Sequence, residues 1–208
     1  YKIDAKNYKI LHVSSCFPRK GIDTLLKAYG KAFSSTDNVT LIIKTFDNPH
    51  NHLDSILEAE INSNSSYPHV LIIKEDLTEN NLKSLYLMSD VLVAPSRGEG
   101  FGLPIAEAML LGIPVITTGW GGQLDFCNSK NSWLIDYDFA KAESHFNLDL
   151  SYWADPSVNH LSELLLTLFF SSKSDIQNKT SLAKKEISAY VWDEVAKNNI
   201  KFINNRIS

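Results

Sequence analysis

Along this chain the spacing of apolar positions changes period repeatedly, and each change marks an element. Tyr8 to Ser14 reads as a strand, and Gly21, Ile22, Leu25, Leu26, Tyr29 and Phe33 then recur at the spacing of an amphipathic helix. Val39 to Phe46 predicts a second strand, Leu53 to Ile61 a helix and Val70 to Lys74 a third strand. Thr78 to Met88 follows as a helix with Thr78 available as its cap. Val91 to Ala94, a helix from Pro104 to Leu111, Pro114 to Thr117 and Trp133 to Tyr137 continue the alternation. Val91-Leu92-Val93-Ala94 is apolar without a break, the mark of a parallel strand buried on both faces. Strands and helices alternating at this pace predict an α/β fold, a Rossmann-like parallel sheet with helices on both faces.

Between Asp136 and Pro156 the pattern fails. Phe139, His145, Phe146, Tyr152 and Trp153 make this stretch rich in aromatic rings, and it reads as a long connection over the carboxyl edge of the sheet. Beyond it, Val158, Leu161, Leu164, Leu165, Leu168 and Phe169 define an ordinary amphipathic helix. Ile176 to Tyr190 and Trp192 to Ile203 read the same way, and all three are assigned to core packing.

A chain of 208 residues with 44% hydrophobic content can bury one good core, so residues 1–208 are expected to form a single domain. No apolar stretch approaches the roughly 20 residues that cross a bilayer, and Tyr1 to Lys9 has no signal-peptide pattern. A net charge of −4 and a pI near 5.9 argue against a nucleic-acid surface, which needs a basic face. Cys16 and Cys127 are the two cysteines, each in an apolar setting, and read as reduced, buried thiols in a cytosolic protein. The chain opens on Tyr1 and runs at once into a strand, so a piece of a longer protein is expected.

Candidate chemistry concentrates in Ser96-Arg97-Gly98-Glu99-Gly100-Phe101-Gly102-Leu103-Pro104-Ile105-Ala106-Glu107. A strand leads into a glycine-rich loop, and Pro104 is placed at the first helical position, where its missing N–H costs nothing. Gly100 and Gly102 let backbone amides approach a ligand while the helix aims its positive end at the same place, so phosphate is expected there. Glu107, read as lying in the first helical turn, leans back toward that ligand and suits a vicinal diol such as a ribose. Glu99, on the strand side of the loop, faces the part of the ligand beyond the phosphates.

These residues resemble the family-four, or group 1, retaining glycosyltransferases, whose mark is Glu, seven residues, Glu. Here the mark runs from Glu99 to Glu107 and continues through Ala108-Met109 and Gly112-Ile113-Pro114-Val115-Ile116. Phe17-Pro18-Arg19-Lys20-Gly21-Ile22-Asp23 is similar to the family's phosphate-binding segment, and Trp192-Asp193-Glu194-Val195-Ala196 to its closing helix over 192–208. The resemblance implies the C-terminal, nucleotide-sugar-binding half of a GT-B enzyme, with an N-terminal acceptor domain outside this chain and a retaining hexosyltransferase activity. It implies that Glu107 holds the ribose, that Lys20 with Arg19 holds the diphosphate, and that the backbone of Gly100, Phe101, Gly102 and Leu103 holds sugar and phosphate. Glu99 then takes the catalytic place at the sugar. The family's arginine falls some five residues before the lysine, where this chain has Ser15. Either Arg19 substitutes, or the diphosphate is held differently and Ser15 is part of the answer. Asp125, in Gly121-Gly122-Gln123-Leu124-Asp125, is a further candidate for shaping the donor pocket.

By the same resemblance no cofactor and no metal are required, because lysine and helix dipole stand in for a cation. The donor is a GDP- or UDP-linked sugar, with mannose the weak favourite. The acceptor is a glycan or lipid-linked saccharide of bacterial lipopolysaccharide or surface polysaccharide, and the place is the cytoplasm, at the inner face of its membrane for the full-length protein. The competing readings are a nucleotide-sugar epimerase of GT-B architecture, a non-catalytic nucleotide-sugar-binding module, and glycoside hydrolysis by the two glutamates. His50 and His52 make a weak metal pair, and no dinucleotide or Walker loop follows the first strand.

Overall fold

The computed structural model describes residues 2–143, 150–190 and 192–207. Six parallel strands, β1 (Tyr8–Val13), β2 (Val39–Lys44), β3 (His69–Ile73), β4 (Val91–Ala94), β5 (Val115–Thr118) and β6 (Trp133–Ile135), form one sheet in the order β3-β2-β1-β4-β5-β6. The chain builds outward from β1 to β3, then returns to the other side of β1 with β4. That reversal opens a crevice between the carboxyl ends of β1 and β4, where ligands of open α/β sheets collect.

Alternation within each strand divides the core in two. Ile10, Leu41, Ile43, Val91 and Val93 face one side, against α1 (Ile22–Ala32), α2 (Leu53–Ser63) and α5 (Val158–Phe170). Leu11, Ile42, Leu92 and Val115 face the other, against α3 (Glu79–Leu87), α4 (Leu103–Leu110) and α6 (Lys173–Ile187). The Rossmann-like sheet with helices on both faces is therefore present as expected from the apolar runs. Thr78 caps α3, its side chain accepting from the Asn81 amide. The last helix, α7, spans Trp192–Ile207.

Three local readings need correction. Asp136 to Pro156 is not a plain connection: it contains an antiparallel hairpin, β7 (Tyr137–Lys141) and β8 (Tyr152–Pro156). In β8, Trp153 and Asp155 fall on one face and both meet Arg97, a partner distant in the chain, so apolar and polar positions do not alternate there. Of the aromatic run, His145 and Phe146 lie outside the described residues. The hairpin does lie at the carboxyl edge, where the Ala154 amide donates to the Arg97 carbonyl just beyond β4. Next, α4 begins at Leu103 with Gly102 as its cap, which puts Pro104 second, still among the amides that lack a helical acceptor. Consequently Glu107 sits beyond the first turn.

Cys16 and Cys127 are free and buried, and burial raises both thiols, that of Cys127 to about 12. Among the described residues, no helix is long and apolar enough to cross a membrane.

Candidate functional site

The loop after β1 and the loop after β4 meet in the crevice. Pro18–Lys20 forms a single tight turn, and Gly21 ends it in the left-handed region at φ 68°, caps α1, and lies against the loop after β4. A side chain there would stand 2.0 Å from the Pro95 carbonyl oxygen, so glycine is required for the two loops to touch. The touching loops put Lys20 Nζ 2.5 Å from Glu99 Oε2, with the two side chains only 13% and 12% exposed. Ser96 Oγ also donates to Glu99 Oε2, at 3.3 Å. Lys20, Ser96, Glu99 and Gly102 line a small cavity with His12 and Ser14 behind them.

The loop that carries Glu99 is braced on three sides. On one, the Gly122 amide donates to the Glu99 carbonyl at 2.8 Å, and a Cβ on Gly122 would lie 1.8 Å from the Gly100 carbonyl oxygen. On another, Arg19 Nη1 donates to the Gly98 carbonyl at 3.1 Å while the Arg97 amide donates to the Arg19 carbonyl.

The third brace is the Arg97 side chain. It is 8% exposed and bonds both oxygens of Asp23 at 2.7 Å, Asp155 at 2.6 Å and the Pro18 carbonyl, with its guanidinium 4.8 Å from the Trp153 ring centre. Burial alone would raise the Asp23 carboxyl, but the Arg97 hydrogen bonds and charge overcome it and hold that carboxyl below its usual range. One guanidinium thus joins α1, the Glu99 loop and the hairpin.

Behind the cavity, His12 is 1% exposed, with Nδ1 2.8 Å from the Val93 carbonyl and Nε2 2.7 Å from Ser14 Oγ. A carbonyl only accepts, so Nδ1 carries the proton and Nε2 accepts from the serine hydroxyl. Burial lowers the His12 pKa to about 4, leaving a neutral ring that fixes the turn after β1. In that turn Cys16 adopts φ 52°, the left-handed region, with its amide bonded to Ser14 Oγ.

Glu107 points elsewhere. Its Oε2 accepts from the Tyr86 hydroxyl at 2.7 Å, in a groove between α3 and α4 lined by Leu82, Lys83, Leu110 and Leu111. Phe101 packs on Phe126 and Tyr190, Leu103 is 65% exposed at the head of α4, and the Asp125 carbonyl accepts from the Tyr190 hydroxyl. The Ser15 carbonyl accepts from Asn48. The fold thus brings Lys20, Glu99, Gly102 and Arg19 together, with Glu107 in a separate groove further along α4. Arg97 with Asp23 and Asp155, and His12 with the Val93 carbonyl, escape sequence reasoning because partners 58 to 81 residues apart leave no local signature. Tyr86 escapes it because Glu107, 21 residues on, lies on a different helix. Among the described residues no cluster of three or more His, Cys, Asp or Glu side chains could hold a metal ion.

Residues 1–143 match the family described as glycosyl transferases group 1. The chain belongs to that family. One relative is the capsular polysaccharide biosynthesis glycosyltransferase CapM of Staphylococcus aureus, 26% identical over 94% of this chain and 46% of the relative. Another is the O-antigen chain mannosyltransferase RfbU of Salmonella typhimurium, 30% identical over 56% of this chain and 31% of the relative. The solved structure of Anabaena Alr3699/HepE in complex with UDP and glucose superposes with a TM-score of 0.72 at 20% identity, covering 98% of this chain and 49% of that one. At that identity the likeness speaks for the fold. This group 1 chain spans about half the length, or less, of these relatives.

Proposed function

We propose that this chain is the donor-binding half of a retaining glycosyltransferase, and that the crevice between β1 and β4 seats the diphosphate of a nucleotide sugar. The observation that carries the reading is the meeting of Lys20 and Glu99 over the start of α4, at the point where strand order reverses. A diphosphate placed there gains the Lys20 ammonium, the Gly102 and Leu103 amides and the helix dipole together. Glu107 takes the ribose diol. Glu99, once phosphate has replaced it on Lys20, faces the sugar and orients the anomeric carbon.

Transfer with retention then follows a front-face route in which the leaving diphosphate helps deprotonate the acceptor hydroxyl. Lys20 and the helix start stabilise the charge that develops on the leaving group. No metal ion takes part, and Arg19 shapes the rim of the loop. The partner half of the protein holds a glycan or lipid-linked acceptor, so this chain alone is inactive in transfer. Kinship with a capsule glycosyltransferase and an O-antigen mannosyltransferase supports surface polysaccharide as the product and mannose as the sugar. A structural neighbour holding UDP and glucose supports a UDP-linked donor equally.

Calorimetric titration with GDP, UDP, ADP and their sugar conjugates, without metal and again with magnesium, tests this directly. Saturable binding of one nucleoside diphosphate, weakened by Glu107→Ala and indifferent to magnesium, is the expected result. A folded chain that binds none of them overturns the assignment of the crevice.

A further inference from the structure

Tyr86 presents an unusual combination. Its ring is 2% exposed, packed with Leu85, Ile105 and Met109 in the core beneath α3 and α4, yet its hydroxyl emerges at the exposed carboxylate of Glu107. The 2.7 Å hydrogen bond ties Oε2 and leaves Oε1 open. Burial, then the hydrogen bond and charge of Glu107, push the Tyr86 hydroxyl above the ordinary tyrosine range. It therefore stays protonated and serves as a permanent donor.

An exposed glutamate samples several rotamers and loses that freedom when a ligand fixes it. Here the freedom is already lost, because a ring held by the core grips one oxygen of the carboxylate. We infer that Tyr86 is a positioning residue: through its hydroxyl it holds the Glu107 carboxylate in the orientation that accepts from a vicinal diol, and so sets affinity for nucleosides without touching them. The inference rests on the donor-site reading above. It also divides the site, since Lys20 and the α4 start answer to the diphosphate alone, whereas Tyr86 answers to the ribose alone.

The test compares wild type and Tyr86→Phe, which removes one oxygen, by calorimetric titration with GDP, UDP, ADP and inorganic pyrophosphate. Whichever nucleoside diphosphate binds should bind about fivefold to tenfold more weakly to the variant, whereas pyrophosphate affinity stays the same. Against a Glu107→Ala background, Tyr86→Phe should have no further effect. Replacing Tyr86 by 4-aminophenylalanine, which restores a donor at the same place, should recover most of the loss. Three results would overturn the inference: unchanged nucleoside affinity, with or without a lower melting temperature; a loss that persists without Glu107; or an equal loss for pyrophosphate, the mark of a general distortion. Failure of the donor-site reading looks different, because wild type then binds no nucleoside diphosphate at all.

Discussion

Lys20 and Glu99, 79 residues apart in the chain, form an ion pair at 2.5 Å with both side chains largely withdrawn from water. Each partner is thereby neutralised in the free protein, and any anion that claims Lys20 must displace a carboxylate. On the proposed donor site, phosphate oxygens and Glu99 would compete for the same ammonium.

That competition makes a prediction with an unexpected sign. Glu99→Gln should tighten pyrophosphate binding by about threefold to tenfold, on the order of 1 kcal/mol, because the displaced rival is now neutral. Lys20→Ala should weaken it roughly thirtyfold, about 2 kcal/mol. Titration calorimetry on the two variants reads both. Weaker binding by Glu99→Gln would show that the carboxylate aims the lysine and does not compete with the ligand.

Arg97 should matter to stability more than any surface ion pair. Arg97→Leu leaves Asp23, which is 32% exposed, without its bidentate partner and unties the hairpin from α1. A loss of about 3 kcal/mol in urea unfolding is expected. Arg97→Lys should recover less than half of it, since an ammonium cannot bond both oxygens of Asp23 and Asp155 at once.

Gly122→Ala should act on the neighbouring loop. Its methyl group has no room beside the Gly100 carbonyl, 1.8 Å away, so the Glu99 loop must shift. Stability should fall by about 2 kcal/mol, with pyrophosphate affinity falling as well. Gly100→Ala is the control, because a Cβ there meets nothing within 4 Å and stability should hardly change.

His12 should confer acid sensitivity. Its pKa falls from 6.5 to about 4 on folding, so the unfolded chain takes up a proton that the folded one refuses. Stability from this group is complete above pH 6.5 and declines as pH drops toward 4, by on the order of 3 kcal/mol in total. His12→Gln, which keeps a donor and an acceptor, should flatten the melting temperature across that window. An unchanged slope would assign the acid transition to other groups.

Much of this protein is legible along the chain. Alternating apolar periods determine the strands and helices, because a strand buried on both faces needs an unbroken apolar run and a surface helix needs only a stripe; Val91-Leu92-Val93-Ala94 and Ile22-Leu25-Leu26-Tyr29 are the respective cases. The Glu99 to Glu107 segment likewise identifies the family, since its glycines, proline and acids stand at fixed offsets within one loop and helix start. Contacts between distant segments carry no such period. Only the tertiary structure decided that Lys20 meets Glu99, because strand order and the Gly21 turn bring the β1 and β4 loops together. It alone decided that Arg97 joins Asp23 to Asp155, and that the chain between Asp136 and Pro156 contains a hairpin. Glu107 was visible as a carboxylate. Which way it points was settled by Tyr86, a core residue that the sequence marks only as apolar.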